Sequence, residues 1–350
     1  MKNSDYLDQL DIYDTYDSTK YINRIANTAE LFLEGINSKD VNNISIDPNI
    51  KSIYFMGMGG SGIGGEVFID LVKNQLKLPI QTIKTWDIPN SINKHSLVFV
   101  CSYSGNTEET IKMFNDSINQ KANIIIISRS GYLNDIAKLK KIPVIEIPNT
   151  LEARSSLSFV LGTLIAFFTK NNLININNKE IKDCISINKT LIDGLQTQIS
   201  TTQNLAKNIA TTISNSLPII ISADYLLSTA NRWRTQLNEN SKTIAVIDNL
   251  PEMFHNSIEG YESKVFKRTN PYFILLTSSL YPDSVSKKFD ELKGLLRTHK
   301  LPHREIKAVG NYKLSHLFSL LTLGDYVSYY LAIGNKIDPH YNPIITNSKK

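Results

Sequence analysis

Ile53-Tyr54-Phe55-Met56 runs straight into Gly57-Met58-Gly59-Gly60-Ser61-Gly62-Ile63-Gly64-Gly65, and the helically spaced Val67, Ile69, Leu71 and Val72 follow. A short all-apolar run, a glycine cluster and a 3.6-residue rhythm read as a buried strand, a tight turn and a helix. The turn has the makings of an anion site. Glycines let backbone N–H groups come close, and a helix N-terminus attracts negative charge. The stretch also satisfies G-x-G-x-x-G, and Asp87 closes the next predicted strand at about the ~20-residue spacing of a ribose-binding acid. Alone, that fingerprint is a weak signal, and close helix–strand packing explains Gly64 and Gly65 equally well. No G-x-x-x-x-G-K-[ST] is present, which argues against a P-loop NTPase.

The same pattern continues outward from this stretch. Strands are expected at Pro79–Ile83, Leu97–Cys101, Asn123–Ile127 and Val144–Ile147, with helices at Thr107–Asn119, Tyr132–Leu139 and about Ser155–Thr169. Continuous Ile/Val runs alternating with helices signal a parallel sheet covered on both faces. Two helical segments lead to about Ser214, and the rhythm then resumes. Strands are expected at Pro218–Ile221, Thr243–Val246, Phe273–Leu276 and Arg304–Ile306, with helices at Tyr225–Leu237, Asp283–His299 and Leu314–Ile333. The fold class is therefore α/β, with two tandem units, each a parallel β-sheet flanked by helices. A helical segment with Ile22, Ile25, Ala26, Ala29, Leu31, Phe32 and Ile36 at helical spacing precedes them. The expected divisions are 1–40 for that segment, 41–185 for the first unit and 196–350 for the second; 350 residues suit two domains.

A second chemistry-bearing turn is Cys101-Ser102-Tyr103-Ser104-Gly105-Asn106-Thr107-Glu108-Glu109-Thr110. It too follows a buried strand and opens a helix. One hydroxyl there would be an ordinary N-cap. Three hydroxyls, Ser102, Ser104 and Thr107, beside a glycine and a run of amides suit the oxygens of a phosphomonoester. A dinucleotide-binding enzyme would use the first turn and leave the second idle, whereas a sugar-phosphate site uses both.

Composition narrows the classes further. The net charge of +5 is small, and the Lys and Arg residues are scattered, so a dedicated nucleic-acid binder is not expected. Hydrophobic residues make up 41%, enough for a core in each unit, and no apolar run is read as a membrane helix of ~18–20 residues. The N-terminus has no apolar signal core. The two cysteines, Cys101 and Cys184, have no CxxC partner and read as reduced thiols, so a cytoplasmic location is expected. His299 and His303 flank Pro302, and His95, His316 and His340 form no ligand spacing; neither a metal nor a cofactor is implied.

The two turns together resemble the sugar isomerase (SIS) domain, and more specifically the archaeal and bacterial bifunctional phosphoglucose/phosphomannose isomerases. The resemblance covers about Ser52 to the C-terminus and implies two SIS domains, each an αβα sandwich. It implies a function as well: metal-independent aldose–ketose isomerisation of glucose 6-phosphate and mannose 6-phosphate to fructose 6-phosphate through a cis-enediol(ate). Gln236-Leu237-Asn238-Glu239-Asn240 matches the family segment that holds the catalytic base, which makes Glu239 that base. His255, in Pro251-Glu252-Met253-Phe254-His255-Asn256, matches the histidine that assists ring opening from a partner subunit, so a homodimer is implied. Arg154 matches the arginine near the reacting carbons. Counting eleven positions from Asp338 places the family's lysine at Lys349. Gly59, Gly60 and Ser61 would hold sugar hydroxyls, and Ser102, Ser104 and Thr107 the phosphate. Two other classes stay open: a non-catalytic SIS sugar-phosphate sensor, and an NAD-dependent oxidoreductase using the glycine turn. The sensor would have no need of Glu239 and His255 together.

Overall fold

The computed structural model describes residues 6–348, which divide into two compact units. Residues 27–177 form the N-terminal unit; residues 178–348, with residues 6–26, form the C-terminal unit. These divisions differ from the sequence expectation at 40 and between 185 and 196. The leading segment is also not one helix. It breaks into α1 (Asp11–Tyr16), α2 (Tyr21–Ala26), α3 (Thr28–Ile36) and α4 (Lys39–Asn42). The first break has a clear cause. Asp17 is buried, and its carboxylate accepts the amides of Tyr21 (2.6 Å) and Ile22 (3.1 Å), so it caps α2 instead of extending α1.

In the N-terminal unit, β1 (Ser52–Met56), β2 (Ile80–Ile83), β3 (Ser96–Ser102), β4 (Asn123–Ser128) and β5 (Val144–Glu146) form a parallel sheet in the order β2-β1-β3-β4-β5. With α3 and α4, helices α5 (Gly59–Val72), α6 (Glu108–Asn119), α7 (Tyr132–Lys140) and α8 (Leu157–Lys170) complete it. The central strand β3 is buried at every position, which is why its text lacks alternation. Its two faces meet different layers. Val98 and Val100 pack with Met113 and Phe114 of α6 and Leu133 of α7. Phe99, pointing the other way, stacks on Phe55 and meets Phe167 and Phe168 of α8. Truncating such a fully buried phenylalanine to alanine costs about 3–5 kcal/mol.

In the C-terminal unit, α9 (Asn178–Gly194) and α10 (Leu205–Ile213) lead to β6 (Leu217–Ala223), α11 (Leu227–Asn240) and β7 (Val246–Leu250). Next come α12 (Lys264–Arg268), β8 (Pro271–Thr277), α13 (Asp283–Thr298), β9 (His303–Lys307), α14 (Lys313–Gly334) and α15 (Pro343–Ser348). The four strands are parallel in the order β7-β6-β8-β9.

One strand expectation is corrected: β7 is Val246–Leu250, not Thr243–Val246. Residues 243–245 terminate α11 instead. The amide of Thr243 returns to the Leu237 carbonyl (3.1 Å), and that of Ala245 to Asn238 Oδ1 (3.2 Å). The apolar letters there misled because Ile244 is 76% exposed. β7 lies at the sheet's edge, where Asp248 and Asn249 are tolerated.

The expectation about apolar length also needs amending. α14 is long and apolar enough to cross a membrane by length and composition, with mean hydropathy 1.2 over its best window. That window is 94% buried inside the unit, so α14 serves as a core helix, apolar all round because it is covered all round.

Candidate functional site

The strand order of the first sheet decides where a ligand can bind. From β1 the chain runs to β2 on one side; from β3 it runs to β4 on the other. The loops leaving the carboxyl ends of β1 and β3 therefore diverge and open a crevice, the switch point of an α/β sheet. Both turns singled out in the sequence stand there.

The glycine turn leads into α5. Gly59 adopts φ +49°, a left-handed conformation that residues with a Cβ resist. Gly60 is excluded from carrying a side chain by packing, since a Cβ would stand 2.7 Å from the backbone nitrogen of Arg154. Arg154 thereby joins the group. It lies on the 3-10 turn Ala153–Ser156 after β5 and is buried. Ser61 is buried too, and its Oγ accepts the amide of Tyr103 (3.0 Å), tying the glycine turn to the serine turn. Behind them, burial pushes the Cys101 thiol up to about 12, so it stays a neutral core group.

In the serine turn, Ser102 ends β3 and its Oγ lies 3.0 Å from Thr107 Oγ1. The amide of Gly105 closes onto the Ser102 carbonyl (3.1 Å), and the amide of Asn106 donates to the exposed Ser104 Oγ (3.2 Å). Thr107 is the N-cap of α6, but its side chain makes no cap hydrogen bond, which leaves the first-turn amides of α6 available to an anion. The neighbouring loop stiffens the turn. Arg129 donates its amide to the Tyr103 carbonyl (3.2 Å), Leu133 its amide to that of Gly105 (3.1 Å), and Tyr132 its amide to Asn106 Oδ1 (2.9 Å). Within this unit the fold thus brings Gly59, Gly60, Ser61, Ser102, Ser104, Thr107 and Arg154 to one edge of one sheet. Asp87, the acid at ribose spacing, is exposed and pairs with Lys112 (2.9 Å).

Tyr103 is the residue whose role the motif did not disclose. Besides its amide bond to Ser61, its hydroxyl accepts the Thr150 amide (3.0 Å) and donates to Asn149 Oδ1 (3.3 Å). It links the serine turn to the segment leading to Arg154. Its place between two serines is the only hint in the sequence.

Glu239 and His255 belong to the C-terminal unit. Glu239 is half-buried in the last turn of α11. The helix end is pinned by its buried neighbours. Gln236 Nε2 donates to Tyr21 Oη (3.2 Å), and Asn240 Nδ2 to Ser328 Oγ (2.9 Å). One turn earlier, Arg232 makes two 3.1 Å bonds to the Asp325 carboxylate, and Trp233 Nε1 donates to the Leu320 carbonyl (2.8 Å). The polar letters of the motif around Glu239 are thus mostly a mounting. His255 is exposed, on the 3-10 turn Glu252–His255. Lys349 lies outside the described residues.

The second sheet has its own switch point, between β6 and β8, and side chains hydrogen-bonded to one another stand there. Asp224, directly after β6, adopts a positive φ of +47°. Tyr225 Oη lies 2.6 Å from Ser278 Oγ, and Ser278 Oγ 2.8 Å from His316 Nδ1. His316 Nε2 faces the Gly310 carbonyl (2.9 Å), so Nε2 carries the proton and Nδ1 accepts from Ser278. Tyr281 donates to the Ala223 carbonyl (2.9 Å) and meets Tyr225 edge-on at 5.6 Å. Burial lowers the His316 pKa and raises that of Tyr225 to about 12, so both groups stay neutral.

Comparison with known proteins shows the family and the fold. Residues 202–350 match the family model described as the bacterial phospho-glucose isomerase C-terminal SIS domain. A bifunctional phosphoglucose/phosphomannose isomerase of Caldicellulosiruptor bescii is 32% identical over 301 residues, covering 85% of this chain and 89% of that protein. A D-glucosamine-6-phosphate 4-epimerase of Sulfolobus acidocaldarius is 30% identical, covering 67% of this chain and 70% of its own length. Among solved structures, a hypothetical protein of Thermus thermophilus shares the fold, with a TM-score of 0.77 at 12% identity, covering 97% of this chain and 91% of that one.

Proposed function

Since the chain belongs to the bifunctional phosphoglucose/phosphomannose isomerase family, we propose that it converts glucose 6-phosphate and mannose 6-phosphate reversibly to fructose 6-phosphate, with Glu239 as the base. The observation that carries the reading is the switch-point crevice of the N-terminal unit, where three hydroxyls and the uncapped amides of α6 converge.

The phosphate docks on Ser102, Ser104 and Thr107, and the sugar hydroxyls on Gly59, Gly60 and Ser61. His255, contributed by the partner subunit of a homodimer, moves a proton between ring oxygen and O1 to open the ring, with Lys349 assisting. Glu239 then takes the C2 proton of the aldose. The electron pair left at C2 forms the C1=C2 bond of a cis-enediol(ate) as O1 gains a proton. Arg154 stabilises the charge that develops on the oxygens. Return of the proton to C1, with loss of the O2 proton, gives the ketose. Electrons balance within the one molecule, so the step needs no external oxidant or reductant. Glucose 6-phosphate and mannose 6-phosphate differ only at C2, so one base serves both once the C2–C3 bond rotates at the enediol stage. A cytoplasmic location completes the reading; the two free cysteines, both buried, are in keeping with it.

The epimerase relative motivates a second reading, chemistry at C4 of an amino sugar phosphate. One assay separates the two: purified protein with glucose 6-phosphate, mannose 6-phosphate or glucosamine 6-phosphate, and product identified by chromatography. Fructose 6-phosphate from both of the first two supports the proposal. Product from glucosamine 6-phosphate alone would replace it with the epimerase.

A further inference from the structure

His255 is exposed, and among the described residues its ring has no hydrogen-bond partner, yet the backbone on both sides of it is fixed. On one side Met253 is fully buried. On the other, Asn256 adopts φ −155°, ψ −77°; its Oδ1 accepts the Ser257 amide (2.5 Å) and its Nδ2 donates to Glu252 Oε1 (2.7 Å). The next turn, Ser257–Glu262, is gripped from the sheet by Asp248 of β7. Asp248 Oδ2 accepts from both Ser257 Oγ and Tyr261 Oη, the latter at 3.1 Å, while Oδ1 accepts the Asn249 amide (2.8 Å). Tyr261 is itself rigid, stacked on Phe266 at 5.1 Å and edge-on to Phe273 at 5.0 Å. Burial and the nearby Asp248 charge raise its pKa, so the phenol remains a donor.

We propose that Asp248 is a positioning residue: through Ser257 and Tyr261 it fixes the turn that follows His255, and so anchors the chain that presents His255 to the substrate. The proposal rests on the reading of His255 as the ring-opening residue and extends it to a residue that touches no substrate. Donors to an ionised carboxylate make shorter and roughly twice stronger bonds than neutral pairs. Asparagine at 248 keeps the shape but not the charge: with its oxygen towards the turn the bonds from Ser257 and Tyr261 weaken to neutral ones and the Asn249 amide loses its acceptor, and with its nitrogen there both turn donors lose theirs. A turn loosened by ~1 Å misplaces a proton-transfer group enough to cost up to ~10²-fold in rate.

The test is a double-mutant cycle of Asp248→Asn and His255→Asn, reading kcat and KM for glucose 6-phosphate and the Tm of each protein. Asp248→Asn should lower kcat about ten-fold with KM within about two-fold, because the phosphate cradle is elsewhere. In the His255→Asn background the same change should lower kcat less than about two-fold. An equal fall in both backgrounds, or full activity in Asp248→Asn, overturns the proposal. Full activity in His255→Asn alone overturns the underlying role of His255 instead. Tyr261→Phe, which keeps the ring packing, serves if Asp248→Asn does not fold, and should act in the same direction only when His255 is present. Where residual turnover in His255→Asn is too low to measure, the His255 ring resonances decide. They should shift towards solvent-averaged values in Tyr261→Phe and Asp248→Asn, and unchanged resonances overturn the proposal.

Discussion

At the carboxyl ends of β1 and β3 the crevice is walled by Gly59, Gly60 and a turn of hydroxyls. At the carboxyl ends of β6 and β8 stand Tyr225, Ser278 and His316, bonded in a chain, with Tyr281 edge-on to Tyr225 and bonded to the Ala223 carbonyl. The first four strands of each sheet follow the same order, and both turns that leave β1 and β6 use a positive φ, at Gly59 and Asp224. Topology alone therefore creates the opening twice. Side-chain size and hydrogen-bond completeness decide which opening is left with donors to offer. In the first, the amides of α6 lack a side-chain cap; in the second, hydroxyl and imidazole already satisfy each other.

The sharpest test of this division of labour is Glu239→Gln. If the N-terminal unit binds and the C-terminal unit supplies the base, kcat should fall by ~10²–10⁴-fold, while calorimetry finds fructose 6-phosphate bound within about three-fold of the parent affinity. Comparable turnover would remove Glu239 as the base. Next in size is Ser102→Ala combined with Thr107→Val, which takes two donors from the open crevice. KM should rise about ten-fold or more, since a hydrogen bond to a charged group is worth about 1.5–3 kcal/mol, with kcat changed far less. Tyr225→Phe is the matching change in the filled crevice. It should leave KM and kcat alone and lower stability by about 1–2 kcal/mol, seen as a lower Tm. A several-fold rise in KM there would mean the second crevice takes part in binding.

The smallest effect concerns pH. His316 is held neutral, with its folded pKa below the ordinary 6.5, so the unfolded chain takes up the proton first. Its contribution to stability is complete above pH 6.5 and is lost as pH falls through the folded value. The Tm should decline on acidification below that point, and His316→Gln should flatten the decline. An unchanged slope would deny that His316 is the group responsible.

Much of this division was legible beforehand in the first unit. Ile53–Met56, Leu97–Cys101 and Ile124–Ile127 are apolar at every position because their strands are covered on both faces, so letters and structure coincide. The edge strand β7 was misplaced for the opposite reason. Its ladder residues include Asp248 and Asn249, while the more apolar-looking Ile244 is spent on a helix exit. The leading helices were fused because a buried acid, Asp17, reads as an ordinary polar letter until its amide partners are known. In the candidate site, residue types suited to a phosphate stand crowded in one turn, where the sequence alone shows them. Tyr103 and Asp248 did not, because their work is to hold other residues, and the sequence has no spacing for that.

The leading helices carry a last consequence, for how the chain is made. Residues 6–26 emerge before the intervening unit but belong to the unit completed by α14, and the Tyr329 hydroxyl that bonds Asp17 (3.2 Å) lies 312 positions later. At ~5–20 residues per second, synthesis keeps that segment waiting on the order of tens of seconds while the intervening unit folds as a self-contained body. The C-terminal unit closes by bringing residues 6–26 together with α14, a loop closure across some 312 positions. For that interval Tyr13 and Tyr21, buried at the end, are exposed to chaperones, proteases and neighbouring nascent chains.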